Sequence, residues 1–210
     1  MKSTDPDGRA IMTRTIDYYF APVSPWSYLG HERLVAIARK HGARVNVMPI
    51  ELSRVFAVSG GLPLAKRAPQ RLAYRLVELA RWRDFLGLPI NITPRYASSS
   101  GNPASLWIIA ASAISPEAAL ALSGAVLRAR WAEERDIADE ATLRELARAA
   151  GLDAEALSGQ AAKPETAARF EAVTQQAIDA QVFGVPWYVH AETPFWGQDR
   201  LDFLDRSLAQ

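Results

Sequence analysis

Apolar and polar positions change their period several times along this chain, and the changes mark its elements. Thr15-Ile16-Asp17-Tyr18-Tyr19-Phe20 is a short β-favouring run. Beyond it Leu34, Ile37, Ala38 and His41 recur at helical spacing, so a strand over 15–20 and a helix over about 25–41 are predicted. Lys40-His41-Gly42 places basic residues and a glycine where that helix should stop. Ala43 to Ile50 alternates and carries β-branched residues, which predicts a second strand. Strand, helix and strand in this order make a βαβ unit, with parallel strands and a right-handed crossover expected.

From Glu51 the period lengthens. Ser59-Gly60-Gly61-Leu62-Pro63 reads as a loop. Arg67 to Leu86 carries Leu72, Leu76, Leu79 and Leu86, the stripe of an amphipathic helix ended by Gly87-Leu88-Pro89. Ile90 to Asn102 is irregular. Further helices are expected over about 103–114, 117–134, 140–150 and 164–181, with Pro116 and Pro164 in first turns and Gly151 at a C-cap. The strand signal returns in Val185-Pro186-Trp187-Tyr188-Val189 and Thr193-Pro194-Phe195-Trp196, a hairpin across Ala191-Glu192. Gln198 or Asp199 then caps a last helix, Leu201 to Leu208, with Asp202 in its first turn. The order is βαβ, a block of helices, then ββα.

Composition narrows the chemistry. The 210 residues include 24 Lys+Arg against 23 Asp+Glu, a net charge of +1, with no basic block interleaved with aromatics, so nucleic-acid binding is not expected. There is no cysteine, which excludes a disulfide, a thiol nucleophile and a cysteine-ligated zinc. His31, His41 and His190 are not spaced as metal ligands, and no metal is expected. Residues 1–14 read as a loose tail without the apolar stretch of a signal peptide. No apolar run is long enough to span a bilayer, and a cytoplasmic location is the expectation.

The junction of the first strand and helix, Ala21-Pro22-Val23-Ser24-Pro25-Trp26-Ser27-Tyr28-Leu29-Gly30, is where chemistry is best placed. Ser24 suits an N-cap and Pro25 the first helical position. Free backbone donors and the positive end of a helix dipole then stand at the end of a strand, a place that holds anions and thiolates.

The βαβ…ββα order, the turn after strand one and the Val-Pro before strand three resemble the thioredoxin fold, and the helical block resembles its DsbA-like branch. Where that branch has Cys-x-x-Cys, this chain has Ser24-Pro25-Trp26-Ser27. More specifically, the chain resembles the 2-hydroxychromene-2-carboxylate isomerases and the related kappa-class glutathione transferases. The residues that carry the likeness are 24–30, Arg81-Trp82 with Gly87-Leu88-Pro89, Phe183-Gly184-Val185-Pro186, and Trp196-Gly197-Gln198-Asp199-Arg200-Leu201. The resemblance implies an α/β, thioredoxin-like domain from 15–51 and 182–210, interrupted by a helical insertion over 52–181.

It also implies glutathione as cofactor and a set of roles. Ser24 would donate its O–H to the glutathione sulfur and lower the thiol pKa, although a plain N-cap explains the same residue. Pro25 and Trp26, the rest of the turn, would bind glutathione with Ser24. Asp199 matches the aspartate that binds the γ-glutamyl amino group, with Gln198 at the neighbouring carboxylate position, often Ser or Asn in relatives. Val185 would pair its backbone with the tripeptide, and Pro186 falls where the family has a cis-proline. Arg71 aligns with a lysine that holds the other carboxylate; a solvated arginine on a helix face accounts for it equally. Gly61 stands where relatives carry an asparagine. Trp26 and Asn102 are the candidates for the substrate pocket; Tyr28, Trp82 and Trp107 suit a core as well.

The implied activity is interconversion of 2-hydroxychromene-2-carboxylate and trans-o-hydroxybenzylidenepyruvate in aromatic breakdown, with a small aromatic keto-acid as substrate and a homodimer as the working form. A glutathione transferase and a non-catalytic glutathione- or peptide-binding module are the alternatives.

Overall fold

Strand β1 (Thr15–Phe20) sends alternate side chains to opposite faces, and helices cover both. The computed structural model describes residues 14–210, so the tail expected over 1–14 lies, but for Arg14, outside the described residues. Ile16, Tyr18 and Phe20 enter one core with Val45, Val47 and Tyr188, under helix α1 (Pro25–His41). Tyr19 and Ala21 enter a second core with Met48, Ile50, Val55, Phe170 and Trp187. A strand buried on both faces must be apolar nearly throughout, as this one is.

The sheet runs β2-β1-β3-β4, where β2 is Arg44–Pro49, β3 Trp187–His190 and β4 Thr193–Trp196. β1 and β2 are parallel, from Thr15 opposite Arg44 to Phe20 opposite Pro49. β3 runs antiparallel to β1, with Tyr18 opposite Tyr188, and β4 returns antiparallel to β3. The rings of Tyr18 and Tyr188 stack at 5.4 Å, and those of Tyr18 and Phe20 at 4.7 Å, which pins the register.

Between β2 and β3 the regular structure of the described residues is helical: α2 (Leu52–Ser59), α3 (Pro69–Leu86), α4 (Asn102–Ser112), α5 (Pro116–Trp131), α6 (Glu140–Ala149), α7 (Ala154–Ala161) and α8 (Pro164–Asp179). α9 (Leu201–Leu208) closes the chain. α2 and α7 differ from the sequence expectation. Each has eight residues, too few for a 3.6-residue period to declare itself. The α7 start was nonetheless marked, because Asp153 accepts from the Glu155 and Ala156 N–H groups as an N-cap.

Two further expectations need correction. The Leu72-Leu76-Leu79-Leu86 stripe meets the core only in part: Leu79 is buried in it and Leu86 packs against it, whereas Leu76, with Tyr74, Val77 and Phe85, is exposed. α3 lies at the margin of the structure and starts at Pro69, after a 3-10 turn over Leu64–Lys66. Neither Gln198 nor Asp199 caps α9. They belong to a 3-10 turn over Gln198–Arg200, Arg200 precedes the helix, and no side chain caps it. Asp202 does stand in the first turn. Among the described residues no helix is long and apolar enough to cross a membrane.

Candidate active site

The turn from β1 into α1 is held by its own backbone. Ser24 N–H donates to the Ala21 carbonyl at 2.9 Å, and the Ser24 carbonyl accepts from Tyr28 N–H at 3.2 Å. Ser24 is the N-cap: its backbone is extended and its Oγ accepts from Ser27 N–H at 3.2 Å, with Pro25 following. The hydroxyl oxygen has thus spent one lone pair on the helix and keeps its proton for another acceptor. At 5% exposure the hydroxyl is largely screened from water, so a hydrogen bond it makes is strong.

Three neighbouring segments converge on this helix end. The Val185–Pro186 peptide is cis. Because Tyr19 pairs with Trp187, continuing the antiparallel register sets Pro186 and Val185 alongside Phe20 and Ala21, where β1 enters the turn. Val185 is buried, yet its backbone N–H and C=O pair with no other backbone group among the described residues. The Gly197 N–H donates to the Pro186 carbonyl at 2.9 Å and so anchors the 198–200 turn beside it. Gly197 has φ 98°, and a Cβ there would lie 2.4 Å from Asp199 Oδ1. Glycine is needed both for that conformation and for the close approach of the carboxylate.

Gln198 is 2% exposed and turned inward, where Arg33 donates to both its carbonyl and its Oε1 at 2.9 Å. Arg33 also pairs with Asp202 at 3.1 Å, which stitches α1 to the turn and to α9. A Cβ on Gly30 would meet Tyr188 Oη at 2.8 Å and Gln198 Cβ at 2.9 Å, so α1 rests directly on both. Asp199 remains exposed, with Arg200 at 2.8 Å. Its negative field reaches Tyr188, whose phenol burial pushes well above its ordinary pKa.

The other candidates differ in how they stand to this turn. Arg71 is exposed on α3, and among the described residues no side-chain bond joins it to Ser24 or Asp199. It belongs to a cationic row, Arg67, Arg71 and Arg75. Arg67 donates to the Leu62 carbonyl at 2.7 Å and lies 5.9 Å from the Phe56 ring centre. Burial, then the charge of Arg71, pulls the Arg67 pKa down; burial, then the charge of Arg67, does the same to Arg75. Cations packed together in this way suit an anionic ligand. Trp26 is half-buried in the first turn of α1, and Asn102 half-buried at the start of α4. Gly101 just before it packs on the turn itself, since a Cβ there would lie 2.9 Å from Val23 Cγ1.

Tyr28, Trp82 and Trp107 have other work. The Tyr28 hydroxyl donates to the Pro89 carbonyl at 2.6 Å, Trp82 packs edge-on against Phe85, and Trp107 is core. The histidines are likewise engaged away from Ser24. His41 meets Asp205 at 2.6 Å and His190 meets Ser207 at 3.0 Å. His31 is buried, which pulls its pKa down to about 4 and keeps its ring neutral at pH 7. Ser24 therefore has no histidine base. Sequence reasoning assigned no role to Arg33, to Gly101, or to the Phe183 and Trp196 rings, which stand 4.7 Å apart beside Gly184. Only the proximity of Phe183 and Trp196 to Val-Pro and Gly197 hinted at the last pair.

Known proteins share this fold. The model of the DsbA-like thioredoxin domain matches residues 15–209. A 2-hydroxychromene-2-carboxylate isomerase of Sphingobium xenophagum is 31% identical over 94% of this chain and 99% of its own. The glutathione S-transferase kappa 1 of Homo sapiens is 24% identical over 95% of this chain and 92% of its own. A solved structure of a 2-hydroxychromene-2-carboxylate isomerase superposes with a TM-score of 0.79 at 27% identity, covering 93% of this chain and 94% of that one. The chain belongs to the DsbA-like thioredoxin family, in the branch of the 2-hydroxychromene-2-carboxylate isomerases.

Proposed function

We propose that the protein is a glutathione-dependent isomerase interconverting 2-hydroxychromene-2-carboxylate and trans-o-hydroxybenzylidenepyruvate. The observation that carries this reading is Ser24: a buried hydroxyl at a helix N-terminus, its oxygen committed to Ser27 N–H and its proton free to donate, in a chain without cysteine. Similarity to the Sphingobium isomerase and to the human kappa glutathione transferase supports it.

The residues present fit a glutathione molecule. Ser24 O–H and the α1 N-terminus suit a thiolate, since donors and positive potential favour the charged form. The unpaired backbone of Val185 suits a β-like pairing with a peptide. Exposed Asp199 suits an amino group, and Arg71, in its row of cations, suits a carboxylate. Gln198, held by Arg33, orients the turn that carries Asp199. Glutathione held there would supply a thiolate nucleophile, the chemistry needed for reversible addition to a conjugated C=C. The task of the chain is to hold that thiolate at neutral pH and to fix the substrate against it, with Trp26 and Asn102 as pocket walls.

Titration calorimetry with glutathione on the wild type and Asp199→Ala tests the site; an absence of binding by the wild type overturns it. Product analysis separates isomerase from transferase, because net consumption of glutathione means that the adduct is released. The same reading includes a homodimer, supported by the exposed Tyr74, Val77 and Phe85 of α3.

A further inference from the structure

Arg130 is a buried cation whose partners are not anions. It stands in the last turn of α5 at 3% exposure. Its Nη2 donates to the Ala97 carbonyl at 2.9 Å and its Nη1 to the Ser99 carbonyl at 3.3 Å, with the Trp131 ring centre 5.7 Å from its guanidinium carbon. Burial pulls its pKa down, and the field of Asp136 partly restores it. Sinking a guanidinium costs free energy that two carbonyls only partly offset, so the arrangement calls for a use.

Those carbonyls belong to a segment with no regular structure of its own. Between α3 and α4 the chain makes only turns, with Ala97 N–H on the Pro94 carbonyl and Ser99 N–H on the Tyr96 carbonyl. The end of α5 and the residues just after it hold it at three places: Trp131 through the Asn91 N–H at 2.7 Å, Arg130 through residues 97 and 99, and Glu134 through the Arg95 N–H at 2.8 Å. The segment then reaches Gly101, which packs on Val23 and Pro22, the residues directly before Ser24. A continuous line of contact thus joins a buried cation to the catalytic turn.

We propose that Arg130 is a positioning residue for the aromatic half of the substrate: by fixing residues 97–101 against Val23, it sets the width of the space beside Ser24 and before Asn102. This rests on the isomerase reading above. The planar fork of arginine reaches both carbonyls at once, whereas a lysine ammonium on a flexible stem holds one well. The position thereby gains a fixed loop rather than a merely attached one.

The test uses wild type, Arg130→Lys, Arg130→Met and Gly101→Ala, each assayed by calorimetry with glutathione and by steady-state isomerisation. Gly101→Ala pushes the segment off Val23 without disturbing the buried cation, and serves if Arg130→Met does not fold. Arg130→Met and Gly101→Ala are expected to raise KM for the one-ring chromene roughly five-fold or more, with glutathione Kd changed less than about two-fold. Arg130→Lys should lie between them and wild type. The ratio of kcat/KM for a benzo-fused two-ring substrate to that for the one-ring substrate should rise in the same variants. If KM, Kd and melting temperature instead worsen together, or if KM and the ratio do not move, Arg130 has only a structural role and the proposal falls. A wild type that neither binds glutathione nor isomerises overturns the isomerase reading itself, and this proposal with it.

Discussion

Ser24 Oγ accepts one backbone hydrogen bond and keeps its own proton for another partner. A hydrogen bond to a charged sulfur is worth about 1.5–3 kcal/mol. Ser24→Ala should therefore lower isomerisation at neutral pH by roughly 10- to 100-fold, and raising the pH should recover part of the rate as the thiol ionises unaided. A pH profile of kcat/KM checks this; a loss equal at every pH would mean that Ser24 only caps the helix. His31 gives a second residue-scale prediction. Its pKa near 4 when folded lies below the ordinary 6.5, and burial is the main cause. Between those values the unfolded chain binds more protons, so stability is fully present above pH 6.5 and falls as pH drops towards 4. The loss is about 1.4 kcal/mol per pH unit at most, and His31→Gln should flatten that slope in urea titrations. Ser24 was legible from the Ser-Pro pair after a strand, whereas the burial of His31 depends on α5 arriving from 90 residues away.

At the level of elements, propensity marks what is long and misses what is short or borrowed. α1, α5 and α8 follow from periodicity, Pro at the first turn and, for α1, Gly42 in the left-handed region at its end. The β3–β4 turn is less well matched. Ala191 and Glu192 have φ of 48° and 65°, a pair of left-handed residues that hairpins usually fill with Asn-Gly. Glu192→Gly should stabilise the protein by about 1 kcal/mol, read as a rise of a few degrees in melting temperature. Gly30→Ala has the opposite sign. Its Cβ would press on Tyr188 and Gln198, so a loss of about 1–3 kcal/mol is expected, with weakened activity because α1 and the Asp199 turn must separate.

Across the whole molecule, the sheet order β2-β1-β3-β4 brings residues 20–24, 185–186 and 197–199 to one end of the sheet, although 161 positions separate Ser24 from Val185. α2 and α3 stay at the margin and keep apolar side chains outside, Phe85 at 76% and Val77 at 50% exposure. If that face seats a second copy, sedimentation should give a dimer for the wild type and a monomer for Val77→Glu with Phe85→Glu. A wild type that sediments as a monomer removes the homodimer from the functional reading.

What the amino-acid sequence determined by itself is local or subtractive. The period of apolar residues marks the strands and the long helices, because burial on one face demands it. The absence of cysteine removes dithiol chemistry, and the Ser-Pro turn marks a place for an anion. The Val-Pro and Gln-Asp motifs could be singled out, but their meeting could not be read off: it depends on β3 pairing antiparallel to β1 and on Gly197 bonding back to Pro186. Tertiary structure alone decided that Gln198 points inward to Arg33 and that neither it nor Asp199 caps α9. It alone decided that the α3 stripe is buried only in part and that Arg130 braces a segment against Val23. Each of these depends on a partner distant in sequence, and one-dimensional periodicity carries no record of which partner arrives.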